Sequence, residues 1–564
     1  MTRRGAGAAA AARAPVPAGP RGPGAAGLPR AARRALLCAA GAALLAAPVP
    51  CAAQAGAADA GVFVNGETER YLRALQVAGA VPLHPWSLRA LGPREVERLL
   101  PADRAHPWAG RPLLAGEGRG AALLPAHVRL VYNSALPEDA SDGAVWAGRG
   151  VTASAEFGAS LRAGPVSLTL YPVAFVAQNA GFALLPNGAG GDSALADPRE
   201  PRRIDAPQRF GTGRYARLDP GQSTLRVDLG GVAAGVSTAN QFWGPAVDFP
   251  LVLGNHAAGF AHLFAGTSRP VNVGVGRVHG RLLWGALEQS PWAITGNAPR
   301  RRFAAGAAAV FTPAAAPGLE VGGTRFFHMG WDGGVPPLGD WLRPFQSILK
   351  IALDENPDDD TDGNGSDPDN QLASVFARWV FPRSGFELYG EYAREDHSYD
   401  VRDLLVEPDH ASAFLLGFRR VWGRGDRALH VLRGEVVNAQ ETHLDQVRGQ
   451  NPFYIHTVAV QGHTHRGQVL GSPAVYAGAG SRLAWERYGR EGRTTLAWSR
   501  RRTAADTPLP AFSVHALEAG VLRFAGPLEL AAQASGAWYL GRGGRDLFNL
   551  SLEVGATWTP GAAR

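Results

Sequence analysis

The stretch GPLELAAQASGAWYL, residues 526–540, alternates in character at every second position. Leu528, Leu530, Ala532, Ala534 and Trp538 fall on one side, with Glu529, Gln533 and Ser535 on the other. A β-strand written this way is dry on one face and wet on the other. LFNLSLEVGATW, 547–558, repeats the pattern: Leu550, Leu552, Val554, Ala556 and Trp558 oppose Ser551, Glu553 and Thr557. An alternating last strand with an aromatic end is common in outer-membrane barrels, although TPGAAR follows the aromatic here.

Working back from this end, the connections sort by length. RAGP (162–165), TPAAAPG (312–318), PRSG (382–385), GRGD (423–426), REG (490–492) and AGP (525–527) read as tight turns. Between them lie longer polar loops at 330–369, 396–410 and 440–475. A barrel with one rim in the periplasm and the other outside has this asymmetry, whereas a soluble sandwich has no reason for it. Strands are predicted from about residues 546, 526, 511, 494, 476, 427, 411, 384, 370, 318, 300 and 272, with five more near 126, 148, 166, 223 and 232. Up-down parity fails between 238 and 272. One extra crossing there brings the count to about 18, the even number that bacterial barrels require.

The N-terminal 55 residues hold seven Arg, no Asp or Glu, and the apolar run ALLCAAGAALLAAPV. They read as a signal peptide, 1–55, cleaved after Ala55, with Arg33-Arg34 a loose twin-arginine alternative. Removing its seven Arg from 56 basic residues leaves 49 against 49 acidic residues. The mature chain is then formally neutral, and its basic pI gives no reason to expect nucleic acid. Cys38 and Cys51 both leave with the leader, so neither a disulfide nor a thiol nucleophile is expected. The mature part has no apolar run approaching the ~18 residues of a spanning helix. Any crossing of a membrane is therefore by strands, in a barrel covering 121–564. Ahead of it, ETERYLRALQVAGA puts Tyr71, Leu72, Leu75 and Ala78 on one helical face with Gly79 as a stop, and GPREVERLLP reads as a second short helix. Residues 56–120 are thus expected to be a small helical periplasmic region.

Side-chain placement agrees with a barrel. Trp379, Phe381 and Phe386 bracket the 382–385 turn, where amphipathic rings favour a membrane interface. Arg378, Glu387 and Glu391 fall on the opposite faces and are expected in a wet lumen.

The stretch NQFWGPAVDFPLVLGNHAAGF, 240–260, keeps neither a helical nor a strand period. Together with RYLRALQVAGAVPLHPWSLRAL (70–91) and GRVHGRLLWGALEQSP (276–291), it resembles the Wzi capsule-assembly family of outer-membrane proteins. Phe242, Trp243, Gly244 and Pro245 supply the Trp-Gly-Pro block. Asn255 and His256 align with an Asn-Asn-Ala element, from which His256 departs. The resemblance implies a monomeric 18-stranded barrel with a helical periplasmic bundle, a lectin that holds capsular polysaccharide. On this reading 239–271 contains a lumen plug, since non-strand backbone at membrane depth must be shielded by protein or lumen water.

In the loops, DDDTDGNGSDPD (358–369) fits a calcium template, with Asp358, Asp360, Asp362 and Asp369 at ligand positions and Gly363 at the turn. Asp in the twelfth place and flanking prolines make a solvated acidic loop the stronger expectation, and no cofactor is required. His443, His456, His463 and His465 share one loop without carboxylate or Cys partners, which favours polar packing over a metal site. Trp331, Trp341, Tyr399 and Tyr454 are candidate sugar-stacking aromatics on extracellular loops. No Gly-x-Ser-x-Gly, His-Glu-x-x-His or phosphate loop is present, nor the His-x-Ser-Asn of outer-membrane phospholipases, so no enzyme is expected. The expected partners are outer-membrane lipid and capsular or exopolysaccharide. The rival reading is a general diffusion porin.

Overall fold

Strands dominate because alternating segments, each too short to bury both faces alone, satisfy their backbone groups by pairing with neighbours. The computed structural model describes residues 62–560 except 103–104, 110, 112–119, 139–141, 347–368, 396–400, 407, 441–451, 477 and 504–508. The leader therefore lies outside the described residues, as do Tyr399, His443, Asp358, Asp360 and Asp362.

The strands form one closed antiparallel barrel. Among the described residues thirteen wall strands are continuous and five are interrupted once, which gives 18. Closure comes from the last strand, Arg545–Trp558, which pairs with Ala126–Asn133 in the register Trp558 to Ala126 and Ser551 to Asn133. The crossing that parity demanded runs through His262–Thr267 and Val271–Asn272, between Val232–Ser237 and Gly276–Glu288. The inward segment is accordingly 238–261, shorter than the expected 239–271, because its final residues are wall. A strand of about 13 residues at ~3.3 Å each, tilted by roughly 40°, rises ~33 Å, enough for an apolar band of about 25 Å.

The outer face carries the large apolar side chains. Leu530, Trp538, Leu552, Val554 and Trp558 are exposed, and so are Trp379, Phe381 and Leu388. Near the short-turn rim Trp379 stacks on Phe381 at 4.9 Å, and Phe386 stacks on Phe418 at 6.4 Å. Arg378, Glu387 and Glu391 point inward and are buried. No helix among the described residues is long and apolar enough to cross a membrane.

The N-terminal segment is not a free-standing helical region. Helix α1, Glu67–Val77, is buried nearly all round, Arg73 and Gln76 included. Helix α2, Pro93–Arg98, starts at its proline. Tyr71 and Trp108 stack at 4.0 Å, and Trp108 meets Tyr488 and Phe524 of the barrel wall. With few apolar residues of its own, this segment completes its core by borrowing the wall's inner face.

Candidate functional site

Polar lumen-facing positions of the wall hold the inner segments in place. Glu387 accepts hydrogen bonds from Arg73 of α1 at 2.9 and 3.1 Å and from Arg378, which also pairs with Glu320. Glu320 in turn receives the backbone N–H groups of Trp86 and Ser87 and the Ser87 hydroxyl, the last at 2.7 Å. Buried charges persist only when paired and hydrogen bonded in this way.

The 238–261 segment uses the same device. Leu88–Arg89 pairs with Phe242–Trp243 as a two-residue ribbon, Arg73 donates to the Pro245 carbonyl at 2.8 Å, and the Arg89 guanidinium lies 3.9 Å from the Phe242 ring centre. Burial lowers Arg89 to about 10, with Glu69 opposing the shift. Gly244 has φ +89°, and a Cβ there would sit 2.3 Å from a Glu391 carboxylate oxygen, so the backbone requires glycine and any side chain would displace Glu391. Glu435 gathers the N–H groups of Val247, Asp248 and Phe249 at 2.9–3.3 Å. Asp248 pairs with Arg433 and lies 3.4 Å from Arg482. Burial raises its carboxyl, but these two guanidiniums outweigh that and hold it below the usual carboxylate range. Asn240 closes the segment by donating to the carbonyls of Gly254 and Ala257. Trp243 is fully buried, with its ring above Gly306 and against Phe326. The Asn255 carbonyl accepts from Gly143, and the His256 carbonyl from Gln468 at 3.1 Å.

The 452–476 segment covers this plug. Tyr454 was expected at the surface, and the structure corrects that: it is fully buried, with its hydroxyl donating to the Leu251 carbonyl at 2.6 Å. Its ring fills space between plug and wall, where no polymer can reach it. His463 donates to the Val252 carbonyl at 2.6 Å. Among the described residues no group of three or more His, Cys, Asp or Glu is placed to hold a metal. Asp369 begins the strand Asp369–Phe381 and pairs with Arg343. Trp331 and Trp341 lie together at the long-loop rim over Phe303, with Trp341 5.7 Å from Trp284.

A pocket of about 320 Å³ opens elsewhere on that rim, with walls that include Trp146, Phe182, Phe210, Arg199 and Arg542. Asp197 at its edge accepts from the Tyr476 hydroxyl at 2.9 Å and from the N–H groups of Arg199 and Glu200. Burial raises the Asp197 carboxyl against these bonds. Sequence reading missed this pocket, as it missed Glu320 and Glu435. The signal available was Phe182, Phe210 and five arginines in the 178–214 connection, but which of them converge depends on loops far apart in the chain.

A family model described as capsule assembly protein Wzi matches residues 141–497. No curated protein sequence matches. Among solved structures, the chain is similar to the Escherichia coli Wzi described as an outer-membrane protein involved in group 1 capsule assembly and a carbohydrate-binding β-barrel. That likeness has a TM-score of 0.59 at 15% identity and covers 89% of this chain and 99% of that one. Weaker likenesses are to Acinetobacter baumannii OccAB2 (TM-score 0.35, 10% identity, 78% and 98% covered) and a BenF-like porin from Pseudomonas fluorescens Pf-5 (0.37, 8%, 78% and 98%).

Proposed function

Because the chain belongs to the Wzi capsule-assembly family and folds as an outer-membrane barrel, we infer that it binds and anchors capsular or other surface polysaccharide at the cell surface. The rim pocket carries this reading: aromatic walls suit the apolar faces of sugar rings, and Arg199 and Arg542 suit hydroxyl or carboxylate groups. One Arg199 guanidinium nitrogen is buried with no partner among the described residues. The long-loop rim faces outward, and the N-terminal segment enters from the periplasm. Helices, plug and the 452–476 segment occupy most of the lumen, which argues against a general diffusion porin. A closed barrel leaves no strand edge to pair, which favours a monomer. The role is binding, without catalysis. A polymer touches many copies of the protein, so weak single sites suffice.

The test is the distribution of high-molecular-weight polysaccharide between washed cells and medium in parent, deletion and complemented strains. Deletion is expected to release polymer without lowering the total, and a complementing Phe182→Ala/Arg199→Ala variant is expected to release it too. Polymer retained at the parental level after deletion would refute the anchoring role. Calcium at Asp358, Asp360, Asp362 and Asp369 is a separate proposal, supported only by the spacing of those residues and tested by calcium titration of the folded barrel.

A further inference from the structure

The lumen is filled unevenly. Beside the last strands runs a second cavity of about 610 Å³, lined at the short-turn rim by Pro125, Thr557 and Thr559 and, farther up, by Asp142 and Glu138. It shares Pro473 and Arg501 with the rim pocket, so the two voids abut. Arg501 stands between them. It donates to Glu138, on the inner side, at 3.0 Å, and the same carboxylate accepts from the Tyr539 hydroxyl, on the rim side, at 3.2 Å. Neither partner is locked away, since the Arg501 and Glu138 side chains are 30% and 27% exposed. A half-wet pair of this kind is held by little free energy and can part and re-form.

We propose that the two cavities form one side passage for water and small hydrated cations along the wall, narrowed at the Arg501, Glu138 and Tyr539 contact. The passage goes beyond the polysaccharide reading and does not depend on it. The inner walls carry ten carboxylates against six guanidiniums, and once Arg111, Arg217 and Arg466, which pair with Glu529 and Asp219 from just outside the lining, are counted, a small negative surplus remains. Confinement between low-dielectric walls strengthens such an imbalance and favours cations over anions. The neck is closed while these side chains touch, so water and ions cross only while the contact is parted, and a sugar ring needs a wider opening.

The experiment records the full-length barrel in planar bilayers of phosphatidylcholine under a KCl gradient, with folding checked by heat-modifiable migration on gels. Arg501→Ala opens the neck, and Glu138→Gln weakens it with less risk to folding. Either is expected to raise single-channel conductance at least twofold over the parent while potassium stays more permeant than chloride. Gly520 lines the inner cavity, and a Cβ there meets nothing closer than 3.7 Å. Gly520→Trp, placed in either background, is expected to abolish the gain. Conductance unchanged by both neck variants, a gain that survives Gly520→Trp, or a preference for chloride would each overturn the passage. Retention of polymer by cells carrying Gly520→Trp reads the anchoring role separately.

Discussion

Replacing Glu435 with Ala removes the acceptor for three consecutive N–H groups, those of Val247, Asp248 and Phe249. Each such hydrogen bond contributes about 1 kcal/mol net, and a buried donor left without a partner costs about 1–3 kcal/mol. The Phe249 donor is buried and the other two are partly buried, so water compensates in part. About 4 kcal/mol of local stability is then lost, which is roughly a thousandfold in an opening equilibrium. The barrel itself stays intact, since the strand carrying Glu435 keeps its ladders to both neighbours. Hydrogen exchange followed by mass spectrometry on micelle-bound protein measures the effect: protection at 247–249 falls about a thousandfold, while the wall strands hold theirs. Glu435→Gln keeps one acceptor oxygen and should lose about half as much in free energy. Unchanged protection at 247–249 in a folded Glu435→Ala barrel would refute the reasoning, because the plug would then be held by packing alone.

Gly244→Ala should loosen the same plug by about 2–3 kcal/mol through the left-handed backbone and the Glu391 contact, read as faster proteolysis within 240–260. Adding Glu391→Ala should restore part of that loss, since it relieves the contact and leaves the backbone cost. Burial lowers His463 to about 3, with the Val252 carbonyl opposing and Arg302 adding to the shift. An unfolded His titrates near 6.5, so its contribution is fully present above that pH and is lost as pH falls toward 3. At pH 5 the loss is about 2 kcal/mol, seen as faster exchange of the 452–476 amides, and His463→Gln should reduce the pH dependence without abolishing it, since burial also lowers His465 in the same segment. Leu552→Arg puts a charge on the lipid face and should cost about 2–4 kcal/mol in urea titrations of vesicle-folded protein. Ser551→Arg, facing the cavity, should cost far less.

The wall was legible wherever alternation was long. Residues 528–542 and 545–558 read directly as strands because lipid and lumen impose opposite demands on successive side chains. The crossing through His262–Thr267 and Val271–Asn272 was legible only through parity, as it is short and interrupted by Pro270. Arg378, Glu387 and Glu391 were readable as lumen residues from their neighbours' apolarity. Their partners Arg73 and Glu320 were not, because pairs 314 and 58 residues apart leave no local pattern. Tyr454 shows the converse error: a loop between distant strands can fold inward, and loop position alone does not say which way its rings turn.

Glu320 and Glu435 grip backbone amides, and that makes the lumen assembly indifferent to most side-chain drift. Any residue at 86, 87, 247, 248 or 249 still offers an N–H to its carboxylate; only proline withdraws it. The attachment points of the two inner segments can therefore stay fixed while the surfaces they carry diverge, so grafting a foreign loop here needs matched length, a glycine kept at 244 and the avoidance of proline at those positions.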